Sequence, residues 1–190
     1  MAEFLLHLLR HGAPETPGLL MGRTDGIPTP EGIALCAEQA GDLPFDQVVS
    51  SDLLRTRSAA QVIAAARGLA VTIDSRWREL DFGRWDGLAP GQIDPQALDH
   101  FRSDPDAHPA PDGECWSALV LRAMEALSAL PPRPTLVLTH AGTMRAVLAG
   151  LFGFTQDQLW GFDLPYSALL SLRVWTGGDR PYAQIAGLWP

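Results

Sequence analysis

Lysine is absent from the 190 residues, so all 14 basic residues are arginines, set against 22 carboxylates for a formal net charge of −8. So acidic a chain lacks the cationic excess that non-specific binding to nucleic acid or anionic membrane requires, and neither partner is expected. Cysteine is scarce. Cys36 and Cys115 show no CxxC or Cys/His spacing, which excludes a disulfide scaffold and a structural zinc site. Each falls in a helix-like pattern and is expected to be buried filler. No HExxH and no aspartate cluster with metal-ligand spacing is present, so no metal and no cofactor is expected. No apolar run approaches the about 18 residues of a membrane-spanning helix. The opening Met1-Ala2-Glu3-Phe4 lacks a basic region and a small-residue cleavage site, so no signal peptide is expected and the cytoplasm is the expected location.

What is present is an ordinary globular mix, 46% hydrophobic and 19% charged, which excludes disorder as the main state. A chain of this length hides roughly 70% of its unfolded surface, enough for a core without staples. Residues 1–190 read as one domain. An apolar strand over residues 4–9 ends at Arg10-His11-Gly12. A Pro/Gly-rich loop over residues 13–28 leads to Thr29-Pro30-Glu31, an N-cap with proline at the first helical position, and a helix to about residue 41. Further strands are expected at 46–50, 71–73 and 134–139, and late strands at 166–174 and 182–188. Further helices are expected at 53–67, 114–130 and 143–151, with a short one near 96–102. Residues 76–113 form a lid-like excursion with Gly83, Gly87, Gly91 and five prolines; irregular segments this long in compact domains tend to be functional. Alternating strands and helices predict an α/β three-layer sandwich with a mainly parallel central sheet flanked by helices.

Open parallel sheets bind ligands beyond the carboxyl ends of their strands. The first strand ends in Arg10-His11-Gly12. The second runs through Ser50-Ser51 into a helix carrying Arg55 and Arg57, and the strand at 134–139 ends in His140. Two imidazoles and two guanidiniums at one sheet edge describe a phosphate site with a nucleophile, for which arginine's rigid fork is suited.

Six segments in order then carry a resemblance. These are Leu9-Arg10-His11-Gly12; Gly22-Arg23-Thr24-Asp25 with Thr29-Pro30-Glu31-Gly32; and Ser51-Asp52-Leu53-Leu54-Arg55-Thr56-Arg57. Arg78-Glu79-Leu80-Asp81-Phe82-Gly83-Arg84-Trp85-Asp86-Gly87, Pro111-Asp112-Gly113-Glu114 and Thr139-His140-Ala141-Gly142 complete the set. Together they resemble the motifs of the histidine phosphatase superfamily, in its phosphoglycerate mutase-like branch. The resemblance implies a phosphoglycerate mutase-like fold, with His11 as nucleophile and phosphohistidine. It implies that Arg10, Arg55 and His140 hold the phosphoryl oxygens, that Gly12 lets the backbone approach the phosphate, and that Glu79 protonates the leaving group. A related branch carries Asp directly after the second histidine; here that position is Ala141, and Glu79 is the available acid. Neighbouring arginines should keep His11 neutral and match charge on the equatorial oxygens in the transition state.

Other residues read differently. His7 lies within the first strand and is expected in the core. His100 and His108 are expected in solvent. Arg57 lies about 100° round the helix from Arg55 and is expected to face solvent. Arg145 is expected at the sheet edge. Trp85 reads equally as a pocket wall or as a plug beneath the excursion.

Departures from the family pattern are Ala13-Pro14 after Gly12, Ala59 in the second-arginine helix and Cys115 for a common serine. The excursion at 88–113 holds Arg102 as its only base among Asp94, Asp99, Asp104, Asp106 and Asp112, a poor clamp for a second phosphate. Hydrolysis of a small-molecule phosphomonoester is therefore expected over mutase-type phosphotransfer. The third alternative, an inactive module that binds phosphorylated ligands, is opposed by the complete residue set. The segments at 18–25 and 111–116 are most similar to alpha-ribazole phosphatases of cobalamin assembly. With that likeness, Met21, Gly22, Arg23 and Trp85 are assigned to the substrate, and Leu19, Leu20, Met21 and Trp85 offer an apolar wall to a flat base. The apolar late strands permit a homodimer.

Overall fold

The computed structural model describes residues 2–178 and 180–190. Six strands form one sheet: β1 (Ala2–Arg10), β2 (Gln47–Ser50), β3 (Val71–Ile73), β4 (Thr135–Thr139), β5 (Leu169–Thr176) and β6 (Tyr182–Trp189). Their order is β3-β2-β4-β1-β5-β6. The first four are parallel, whereas β5 and β6 join antiparallel as a hairpin at one edge. The sheet is thus mainly parallel as expected, and helices cover both faces.

The inner strands β1, β2 and β4 are mostly apolar because both their faces are buried, and successive side chains alternate between two cores. Leu6 and Leu8 of β1, Val49 of β2 and Val137 of β4 point to one side. There they meet α4 (Trp116–Ser128) and α5 (Ala141–Phe152), which supply Leu119, Ala123, Met144 and Val147. Leu9, Val48, Leu136 and Leu138 point to the other, against α1 (Pro30–Gln39) and α2 (Leu54–Ala66). Ala59, Ala60 and Ala64 let α2 lie close to the sheet. His7 shares this second side. Its ring nitrogens lie 2.7 Å from Ser171 Oγ and 3.2 Å from the Pro44 carbonyl, so it is a core residue as expected.

Register brings the functional strand ends together. Arg10 is paired with Thr139 across β1 and β4, and Ser50 with Leu138 across β2 and β4. His11, His140 and Ser51 are therefore neighbours, although they come from distant parts of the chain. The turn after β1 is pressed against the start of α1. A Cβ on Gly12 would lie 2.1 Å from the Gly32 carbonyl oxygen, so two glycines let the segments touch. Thr29 caps α1, its hydroxyl accepting from the Gly32 amide and donating to the Ala13 carbonyl.

The segment at 76–113 is more ordered than its composition predicts. Two short 3₁₀ turns (Gly83–Trp85 and Pro90–Gln92) and α3 (Pro95–Ser103) enclose a small core of Trp85, Ile93, Leu98 and Ala110. Its base is pinned at Gly83, which has φ +48°, and where an added Cβ would lie 2.2 Å from the Pro111 carbonyl oxygen. A short helix, α6 (Gln156–Leu159), follows α5. Cys36 is buried, but Cys115 lies at the N-cap of α4 and is half-buried, because the chain turns into the helix only at Trp116. No helix is long and apolar enough to cross a membrane among the described residues.

Candidate active site

His11 follows β1 directly, and its Nδ1 lies 2.8 Å from the Gly12 carbonyl oxygen. A carbonyl only accepts, so Nδ1 carries the proton and Nε2 keeps its lone pair. Burial, then Arg55, then Arg10 hold the His11 pKa well below its ordinary value. The ring is a neutral imidazole with a free in-plane lone pair, the form a nucleophile requires. The His140 ring lies 5.2 Å from it and the Tyr166 ring 5.5 Å, centroid to centroid.

His140 is fully buried and stands at the N-cap of α5. Its Nε2 is 3.0 Å from Ser51 Oγ, which is 2.7 Å from Thr56 Oγ1. Burial and the Arg55 charge hold the His140 pKa well down. Arg55 is buried on the first turn of α2. Its terminal nitrogens donate to the carbonyls of Thr24 and Met21 at 2.7 Å. Arg10 donates to the Leu164 carbonyl at 2.5 Å and lies 4.1 Å above the Tyr166 ring. Burial disfavours the charge on both arginines, and Glu79 is the largest compensating charge for each. Three buried nitrogens here have no hydrogen-bond partner among the described residues: Arg10 Nε, Arg55 Nε and His140 Nδ1. Unsatisfied buried polar groups are costly and uncommon, and here three of them sit on two guanidiniums and an imidazole.

Glu79 closes the site from the far side. Its carboxylate accepts from the Gly142 amide at 3.0 Å and from the Leu80 amide at 2.9 Å. A Cβ on Gly142 would lie 2.2 Å from Glu79 Oε1, so the glycine after Ala141 makes room for the acid. The backbone beside Glu79 is held on several sides. Arg122 donates to the carbonyls of Arg76, Arg78 and Glu79, Thr143 donates to that of Arg78, and the Arg78 side chain forks onto Asp52.

A family model described as the histidine phosphatase superfamily (branch 1) matches residues 6–183. The chain belongs to the histidine phosphatase superfamily. It is accordingly a phosphatase, an enzyme that hydrolyses phosphomonoesters. A protein of Hydrogenobacter thermophilus named "Putative phosphoserine phosphatase 2" is 26% identical over 180 residues, covering 89% of each chain. The mycobacterial glucosyl-3-phosphoglycerate phosphatase in complex with inorganic phosphate superposes with a TM-score of 0.82 at 26% identity, covering 96% of this chain and 95% of that one. An Escherichia coli structure described as "a putative alpha-ribazole-5'-P phosphatase" gives a TM-score of 0.80 at 22% identity, covering 96% of this chain and 95% of that one. That last likeness is one of fold.

Two adjoining cavities open at the site of this histidine phosphatase. One, of about 170 Å³, is lined by Arg10, His11, Leu19, Met21 and Tyr166 among others. The other, of about 290 Å³, has apolar walls including Leu80, Phe101 and Trp116. Leu20, Glu79 and Phe82 line both.

Not every residue assigned from sequence lies here. Trp85 lines neither cavity; it is buried in the excursion's own core, edge-on to Phe101 at 5.6 Å. Arg23 also lies outside both, because its guanidinium is ion-paired with Asp81 at 3.1 Å and reaches Glu114 at 4.0 Å. Gly22 serves packing, since a Cβ there would lie 2.2 Å from the Leu80 carbonyl oxygen. Gly12 likewise contacts Gly32 and offers its carbonyl to His11. Arg57 stays out of both cavities, partly exposed. His100 and His108 are exposed, their rings 5.1 Å apart. Arg145 does not face the sheet edge: it lines the larger cavity beside Gly142.

The structure adds residues that sequence reading missed. Tyr166 roofs Arg10 and His11. Asp86 accepts from the amides of Gly22, Arg23 and Thr24, at 2.9, 2.7 and 2.9 Å, so it shapes the loop whose carbonyls hold Arg55. Gln156 and Trp160 reach the larger cavity from α6 and its C-terminal end. The Thr155…Gln158 pair, in which each side chain bonds the other's backbone, is a capping-box signature that could have revealed α6.

Proposed function

We propose that this phosphatase hydrolyses small phosphomonoesters through a phosphohistidine at His11 and without a metal ion. The observation that carries the reading is a neutral His11 beside the His140 ring at 5.2 Å and under the charges of Arg55 and Arg10, three side chains that each keep a buried nitrogen without a partner among the described residues. Nε2 attacks phosphorus as the ester P–O bond breaks, and the guanidiniums take up charge on the equatorial oxygens. Ser51 can donate to His140 Nε2, which leaves the His140 proton on Nδ1, the nitrogen without a partner. Glu79 gives its proton to the departing alcohol oxygen. In the second half, Glu79 takes a proton from water as that water attacks phosphorus and the P–N bond breaks. Phosphate leaves, and His11 regains its lone pair.

The alcohol half lies against Glu79 in the larger cavity. Its apolar walls, with Leu19, Leu20 and Met21 nearby, support a substrate with an apolar or flat body. α-Ribazole 5′-phosphate is the candidate from the sequence resemblance. Hydrolysis is favoured over mutase chemistry because the segment at 88–113 holds Arg102 as its only arginine among five aspartates, a poor clamp for a second phosphate.

A panel of α-ribazole 5′-phosphate, 3-phosphoglycerate and simple alkyl phosphates tests this, with released phosphate as readout. Turnover of at least one ester is expected. With 3-phosphoglycerate and a bisphosphate primer, 2-phosphoglycerate should form at a negligible rate beside hydrolysis. Efficient interconversion would replace the hydrolytic reading, and tight binding of esters without turnover would replace catalysis by ligand capture.

A further inference from the structure

The segment between α6 and β5 supplies no group to the chemistry above, yet it grips Arg10 and His11 directly. The Ala168 carbonyl accepts from the Arg10 amide at 2.9 Å, and the Ser167 amide donates to the His11 carbonyl at 3.2 Å. The Leu164 carbonyl takes Nη1 of Arg10, and the Tyr166 ring meets the face of the same guanidinium, whose carbon lies 4.1 Å from the ring centroid. Between them, Ser167 has φ +64°, a conformation a serine seldom adopts, and this turn aims the half-buried tyrosine at the phosphate cavity that it lines.

The two arginines of the site are therefore presented differently. Both terminal nitrogens of Arg55 are occupied by loop carbonyls, so only its Nε lacks a partner. Arg10 gives Nη1 alone to a carbonyl. Its Nε and Nη2 make no hydrogen bond among the described residues. Those two nitrogens form one edge of the guanidinium, with parallel N–H bonds, and that edge can take two oxygens of one phosphoryl group. A single hydrogen bond to Leu164 would leave the fork free to pivot about it. A ring against the face removes that freedom, and the attraction between cation and ring adds to the hold.

We propose that Tyr166 is a positioning residue for phosphoryl transfer: its ring fixes the Arg10 guanidinium so that the Nε and Nη2 edge meets the phosphoryl oxygens beside His11. The ring face acts, and the hydroxyl is dispensable. The inference rests on the roles proposed above for Arg10 and His11, and adds to them a residue that lies outside all six of the family-like segments.

Phosphate release from an alkyl and an activated aryl phosphate is measured in Tyr166→Leu, Tyr166→Met and Tyr166→Phe. Each aliphatic variant should lose about tenfold in kcat/KM on both esters, the scale of a partly desolvated cation–π contact. Two are made so that poor folding of one leaves the other. Tyr166→Phe keeps the ring and should stay within about twofold of the wild-type enzyme. The deciding comparison is made in Arg10→Met, with the activated ester. With no guanidinium to position, the aliphatic substitutions should cost less than about twofold there, whereas a residue that serves folding alone would cost the same factor in both backgrounds. Equal losses in both backgrounds, no loss in either aliphatic variant, or a loss in Tyr166→Phe as large as in Tyr166→Leu would overturn the inference alone. Full activity in Arg10→Met or in His11→Ala would overturn the reading of the site on which it rests.

Discussion

At the scale of single residues, the proposed mechanism divides the work between groups that hold the phosphoryl group and one that serves the leaving oxygen. Arg55 reaches the site from a buried helix turn and is anchored by loop carbonyls, so its contribution is to charge on the phosphoryl group. Glu79 is held by two amides at the boundary between the cavities, where the ester oxygen must lie. An alkoxide needs a proton to depart, whereas an activated aryl oxide departs without one. Glu79→Gln should therefore slow an alkyl phosphate by about 10²–10⁴-fold, the range for a lost general acid, and an activated aryl phosphate far less. Arg55→Ala should slow both alike, by about 10²–10³-fold as for a lost oxyanion donor. Steady-state rates for both esters in both variants decide this, and equal losses for the two esters in Glu79→Gln would reduce Glu79 to a binding or structural carboxylate.

At the scale of elements, the start of α5 couples stability to catalysis in opposite senses. Gly142 is the second residue of α5, where alanine is a better helix former than glycine, and the three atoms nearest to an added Cβ all belong to the Glu79 side chain. Gly142→Ala should keep or raise the melting temperature while displacing the acid. Activity toward an alkyl phosphate should fall by about 10–100-fold, the scale expected when a catalytic group moves by about an ångström. Calorimetry and rate measurement on the same preparation check it; full activity would show that Glu79 tolerates displacement. The same element shows what a sequence can reveal. The strand ends bearing His11 and His140 were legible because apolar runs stop abruptly at polar residues, and α1 because Thr29-Pro30 marks its start. The N-terminus of β5 was not: Ser167, with φ +64°, turns the chain so that the strand starts at Leu169 and Tyr166 is freed to face His11. Nothing in local pattern signals a positive φ at serine. The sequence left Trp85 open between pocket wall and plug, and the structure has the plug, while Arg23, assigned to the substrate, pairs with Asp81; local pattern could decide neither, since whether a side chain faces a cavity or a neighbouring loop depends on the path of the excursion, which Gly83 and Pro111 set through contacts distant in sequence.

At the scale of the whole molecule, three histidines are buried within the sheet or at its edge, His7, His11 and His140, and the pKa of each lies below its ordinary 6.5. Burial is the largest cause in all three. Below pH about 6.5 the unfolded chain binds protons that the folded chain refuses, so stability falls as pH drops through that value, by at most about 1.4 kcal/mol per pH unit for each such histidine and only until it is protonated in the folded chain too. The aspartates with lowered pKa, Asp52, Asp74, Asp81 and Asp106, add acid sensitivity only at the lower pH where carboxylates titrate. Urea unfolding at pH 7.5, 6.5 and 5.5 should show the midpoint falling with pH, and His7→Gln should flatten the trend by one histidine's share. A midpoint that stays level or rises toward pH 5.5 would contradict this. The sheet order, the two glycine contacts at positions 12 and 142, and the arginines on separate elements all converge on one imidazole, and the account stands or falls with its chemistry. The direct measurement is covalent labelling. Substrate carrying radioactive phosphate, quenched within milliseconds, should leave an acid-labile, alkali-stable label on the wild-type enzyme that maps to His11 and disappears in His11→Ala together with turnover. Turnover retained in His11→Ala, or a label that maps to another residue, would contradict the account.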